Sequence, residues 1–144
     1  MCVILSIYQK TPIANQALID KIKSLEKSNS DGIGIVAFNT KTKTNYIQRN
    51  LDIDKIDLSK ILSSFDIINI HLRNATAGKI SKDNIHFWKY NNWVFSHNGQ
   101  IFNYEKLKTQ CSKEMSDSYI FFEKMIEANY MKNSCAENKV FSYR

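Results

Sequence analysis

The chain has 144 residues, 43% of them hydrophobic, which is enough to bury a core and fits one compact domain. Its 20 basic and 14 acidic residues leave a net charge of +6; the excess is scattered lysine, a solvated surface rather than the clustered arginine with exposed aromatics of a nucleic-acid reader, so nucleic acid is not the favoured partner. No apolar run reaches the roughly 18 residues of a membrane span, and cysteines at 2, 111 and 135 form no paired spacing, so a soluble, cytoplasmic chain with reduced thiols and no membrane partner is expected.

Residues 2–8, CVILSIY, are apolar, short and partly β-branched, and read as a buried strand that Lys10 and Pro12 close. Across 11–27 the apolar positions Ile13, Ala17, Leu18, Ile22 and Leu25 recur at helical spacing, with Thr11 as cap and Pro12 in the first turn. A turn at 29–32 precedes two hairpin strands, IGIVAFN and KTNYIQR, joined around 40–43. A short helix over 54–65 and a strand over 66–72 follow, the strand delivering Arg73 to its end. Residues 74–92 read mostly as loop. WVFSH, 93–97, is a further strand ending at Asn98-Gly99, with a short strand at 100–102, helices over 104–109 and 117–129, and a last strand at VFSY near the C-terminus. Ser116 or Asp117 caps the second of those helices.

Cys2 is the residue on which a functional reading turns. It directly follows Met1, and removal of the initiator leaves a thiol and a free α-amine on one residue, a nucleophile that carries its own base. The four glycines stand at 32, 34, 78 and 99, in DGIG, ATAG and HNG, at the ends of the expected strands beside Asp31, Arg73 and Asn98. Glycine marks turns in general, and it also permits close backbone approach to a ligand. Arg73 at a strand end suits a surface ion pair as well as a ligand anchor, and Asp117 is a competent helix cap as well as an anionic anchor. His71, His86, Cys2 and Cys111 lack C-x-x-C or H-x-x-x-H spacing, so no metal site is expected.

Taken in order, MC at the start, DGIGIVAF at 31–38, IHLRNATAG at 70–78, NIHFW at 84–88, WVFSHNGQIFNY at 93–104 and SDS at 116–118 resemble the class II glutamine amidotransferases, N-terminal-nucleophile hydrolase domains with a terminal cysteine. The pattern is most similar to stand-alone amidotransferase-like hydrolases, among them γ-glutamyl amide hydrolases. The resemblance covers residues 1 to about 130. It implies an α+β fold, a four-layer αββα sandwich of antiparallel sheets reduced in size, with residues 1–144 as one domain shortened relative to the family.

For function, the resemblance implies hydrolysis of the side-chain amide of glutamine or a γ-glutamyl amide, through a γ-glutamyl thioester on Cys2. Asn98 and Gly99 would supply the oxyanion hole. Arg73 would hold the substrate α-carboxylate and Asp117 its α-ammonium, with Thr76 and His97 supporting the pocket. No cofactor is implied. A protein partner would receive the ammonia or complete the fold. NIHFW lacks the family's proline after the histidine, and Asn74 stands where a larger residue is usual. The other reading is an inactive amidotransferase-like fold that serves as a protein- or nucleic-acid-binding regulatory module.

Overall fold

The computed structural model describes residues 1–109 and 113–128. Four strands, β1 (Val3–Tyr8), β2 (Ile33–Phe38), β3 (Asn45–Asn50) and β4 (Ile67–Leu72), form one sheet in the order β1-β4-β2-β3. All three pairings are antiparallel. A second sheet is the hairpin of β5 (Trp88–Tyr90) and β6 (Trp93–Phe95). Three α-helices lie among the described residues: α1 (Gln16–Glu26), α2 (Leu58–Ser64) and α3 (Asp117–Glu127). Mixed α and antiparallel β structure is the class that the sequence leads one to expect.

Strand alternation sorts the large sheet into two faces. Val3, Leu5 and Ile7 of β1, Ile68, Ile70 and Leu72 of β4, and Ile33, Ile35 and Ala37 of β2 face α1 and α2, where Ile19, Ile22, Leu58, Ile61 and Leu62 complete the main core. The register aligns Ile4, His71, Gly34 and Arg49 in one row across the opposite face. The segment around residues 85–88 crosses this row. His86 stacks on His71 with ring centroids 4.0 Å apart, and Arg49 Nη1 donates to the Ile85 carbonyl at 3.5 Å. Gly34 is what lets the segment lie so close, because a Cβ there would sit 1.4 Å from the His86 carbonyl oxygen. The His86–Phe87 peptide is cis.

Beyond the crossing, Trp88 and Phe122 form a second apolar cluster with Tyr90, Trp93, Phe95 and Tyr119, which fastens the hairpin to α3. Phe122 stacks against Phe95 at 5.5 Å and against Trp88 at 6.0 Å.

Several boundaries differ from the sequence reading, each for a local reason. Helix α1 begins at Gln16, not near Pro12, because the Asn15 side chain accepts from Leu18 N–H at 3.1 Å and caps the helix there. The helix expected over 54–65 is split into a 3₁₀ turn, Ile53–Lys55, and α2, since Asp52 and Asp57 each cap a separate start. The loop of 74–92 contains a 3₁₀ turn, Lys82–Asn84, and the strand β5. Residues 100–102 form no strand; the Ile101 N–H donates to Asp117 instead of to a ladder. The helix at 104–109 is a 3₁₀ turn, Tyr104–Leu107. Helix α3 starts where expected, with Ser116 accepting from Tyr119 N–H. The expected terminal strand VFSY, and Cys111 and Cys135 with it, lie outside the described residues. Among the described residues no helix is long and apolar enough to cross a membrane.

Candidate active site

Cys2 immediately precedes β1, half-buried, with Met1 beside it 88% exposed and open to removal. Its Sγ stands 3.3 Å from both the N and the O of Asn74. The Asn74 N–H therefore donates to sulfur, and the thiol can donate to the Asn74 carbonyl. The antiparallel pairing of β1 with β4 explains this meeting, since Val3 opposite Leu72 brings the residue before one strand onto the residues after the other. The Asn98 side-chain amide reaches the same point, donating from Nδ2 to the Cys2 carbonyl at 2.8 Å. Three segments far apart in sequence thus converge on Cys2.

Arg73 continues β4 past Leu72. Its N–H donates to Gly32 O at 2.8 Å and its carbonyl accepts from Asp31 N–H at 3.0 Å. Its side chain is only 3% exposed, donates from Nη2 to Ala77 O at 3.0 Å, and leaves Nη1 buried without a hydrogen-bond partner among the described residues. A buried guanidinium nitrogen left without an acceptor costs energy. Burial pushes its pKa down from the ordinary value, and the nearby Cys2 and Asp31 oppose the shift. Asp31 also accepts from Ala75 N–H at 2.7 Å and so fixes the loop that follows Arg73. Thr76 is exposed on that loop. Gly78 ends it with φ +71° and packs against the start of α3, where a Cβ would come within 2.6 Å of Ser116 N.

The His97-Asn98-Gly99 turn is held from two sides. His97 N–H donates to His86 Nδ1 at 3.3 Å, and His97 Nδ1 lies 2.9 Å from Ser118 Oγ. Accepting at Nδ1 places the proton of neutral His86 on Nε2. Gly99 sits beside the His97 ring, with Nε2 3.0 Å from where its Cβ would be. Asp117 is 5% exposed, and its two carboxylate oxygens accept from Ile101 N–H and Ser118 N–H, both at 2.8 Å. Asp117 therefore anchors the chain after the turn; its Oδ1 also accepts from Ser118 Oγ at 3.3 Å, while Oδ2 takes the Ile101 N–H.

Beneath the turn, burial drives the pKa of His71 down to about 3, helped by Arg73. His86 is likewise well below the usual histidine value, first through burial and then through His71, His97 and Arg73. Both imidazoles are neutral packing elements. Sequence reasoning did not assign three participants in this arrangement: the Asn74 backbone at the thiol, Asp31 on the 73–75 loop, and Ser118 as the partner of His97. Asp31 and Ser118 stand inside the DGIG and SDS motifs, which was the available signal; nothing in a residue type announces a backbone contact.

A family model described as glutamine amidotransferases class-II matches residues 1–133. The chain is 36% identical over 125 residues to a glutamine--fructose-6-phosphate aminotransferase [isomerizing] of Buchnera aphidicola subsp. Acyrthosiphon pisum, a match covering 84% of this chain and 20% of that protein. It is 33% identical over 57 residues to a probable glutamine amidotransferase, DUG3, of Saccharomyces cerevisiae, covering 40% of this chain and 16% of that protein. The matches thus span a fifth or less of the length of these curated relatives.

Proposed function

The chain belongs to the class II glutamine amidotransferase family, and from that premise we propose that it hydrolyses the side-chain amide of glutamine, or of a γ-glutamyl amide, through a thioester on Cys2. Once Met1 is removed, the freed α-amine of Cys2 takes the thiol proton, directly or through a water, and Sγ attacks the amide carbon. The carbonyl oxygen gathers charge as the tetrahedral intermediate forms. The Asn98 side-chain N–H and the Gly99 backbone N–H receive it, and one such donor contributes about 3 kcal/mol in the transition state. Collapse breaks the C–N bond, and the α-amine returns its proton to the departing ammonia. Water then opens the thioester, so glutamine and water become glutamate and ammonia.

Arg73 receives the α-carboxylate of the substrate, a planar anion that fits a guanidinium fork. Asp117 faces the α-ammonium, and Thr76 and His97 shape the pocket between them. In this reading the 144 residues act as one amidotransferase-like domain. A protein partner receives the ammonia or completes the fold, and the reduced nucleophile suits a cytoplasmic setting.

The observation that supports the reading best is the contact of the Asn98 amide with Cys2, beside a buried Arg73 with an unpartnered nitrogen. Intact mass after incubation with a diazo-ketone analogue of glutamine tests it. One adduct on the Met1-processed protein, absent from Cys2→Ala, together with ammonia release by the wild type alone, is the expected result. A folded, processed protein that takes no adduct and releases no ammonia overturns the proposal.

A further inference from the structure

A cluster of cations lies away from the cysteine, on the edge of the large sheet. A cavity of about 410 Å³ opens where β5 passes β3, lined by Ile47, Gln48, Arg49, Lys82, Phe87 and Lys89. The three cations come from three different elements, β3, the 3₁₀ turn at Lys82–Asn84, and β5. No carboxylate lines this cavity, and none of the three cations belongs to an ion pair among the described residues. Three cations facing one concavity with no carboxylate among them create a local positive potential that attracts an anion. Arg49 is half-buried and its guanidinium is steadied by the Ile85 carbonyl, so one cation is preorganised.

We propose that this cleft is a second binding site, for a small organic phosphate carrying two or more negative charges. Ile47 and Phe87 offer an apolar wall for the organic part, and the cations take the anionic end, the usual division of labour in a ligand pocket. A neighbouring cavity of about 390 Å³ shares Arg49 and Lys89 but adds Asp83. That carboxylate lowers the positive excess there, which directs the anion to the Lys82 side. Phosphate is preferred over carboxylate because it concentrates charge on one compact tetrahedral group that an arginine fork and two ammonium groups can surround.

The site shares no residue with the catalytic set proposed for Cys2, so its occupancy can be read without any activity. Calorimetric titration with pyrophosphate, with citrate as comparison, tests it on the wild type, on Cys2→Ala and on Lys82→Gln/Lys89→Gln. Both lysines are exposed, so the double variant is expected to fold, and its unfolding midpoint is checked against the wild type. Saturable one-to-one binding of pyrophosphate is expected for the wild type and for Cys2→Ala, weakened about tenfold or more in the double variant. No saturable binding, or equal affinity in a folded double variant, overturns the site. Citrate bound as tightly as pyrophosphate overturns the preference for phosphate.

Discussion

At the scale of single residues, the chain shows how one side chain can be decided by another far away in sequence. Cys2, Arg73, Asn98, Gly99 and Asp117 were all legible as candidates, because each belongs to a short motif whose chemistry is unusual enough to be noticed. Gly34 was noticed only as one of four glycines near strand ends. Its reason is tertiary, since the His86 carbonyl lies where its side chain would be. Gly34→Ala is therefore expected to destabilise the protein by about 3 kcal/mol or more, because backbone rather than a flexible side chain must move. Urea unfolding measures this. A loss smaller than about 1 kcal/mol would show that the 85–88 segment does not rest on the sheet as described.

Among the elements, the sequence reading located β1, β2, β3, β4 and α3, whose short apolar runs and, for α3, capping residue agree with their final state. The reading failed where side chains diverted the backbone. Asn15 postponed α1, paired aspartates divided 53–64, and Asp117 captured the Ile101 N–H. It also missed β5, three residues long and too short to show alternation. This strand depends on packing, since Trp88 is held by His86, Phe95, Tyr119 and Phe122. Phe122→Ala should accordingly cost about 3 kcal/mol and loosen the hairpin from α3. The expected signature is loss of near-ultraviolet circular dichroism with far-ultraviolet signal largely kept. An unchanged aromatic spectrum would refute the dependence of the hairpin on α3.

For the whole molecule, acid stability should follow the two buried imidazoles. His71 is held near 3 against an ordinary value of 6.5, and His86 is also well below 6.5. The unfolded chain then binds protons that the folded chain excludes, so stability is complete above pH 6.5 and declines as the pH falls from 6.5 toward 3. Within that window His71 contributes a slope of up to about 1.4 kcal/mol per pH unit, and His86 adds to it in the same direction. Urea midpoints between pH 6.5 and 5, above most carboxylate titration, measure the slope. His71→Gln should reduce it by up to about 1.4 kcal/mol per pH unit. A flat profile in the wild type would mean that these rings are accessible to protons in the native state.

The sequence by itself determined the family, the α+β class and the strands of the main sheet, because motif chemistry and hydrophobic period are local properties carried by neighbouring residues. Only the tertiary structure decided which backbone meets the Cys2 thiol, why Gly34 has no side chain, how Ser118 steadies His97, and that Arg49, Lys82 and Lys89 share one cleft. Those facts arise when strands pair and segments cross, and no short stretch of sequence contains both sides of the contact.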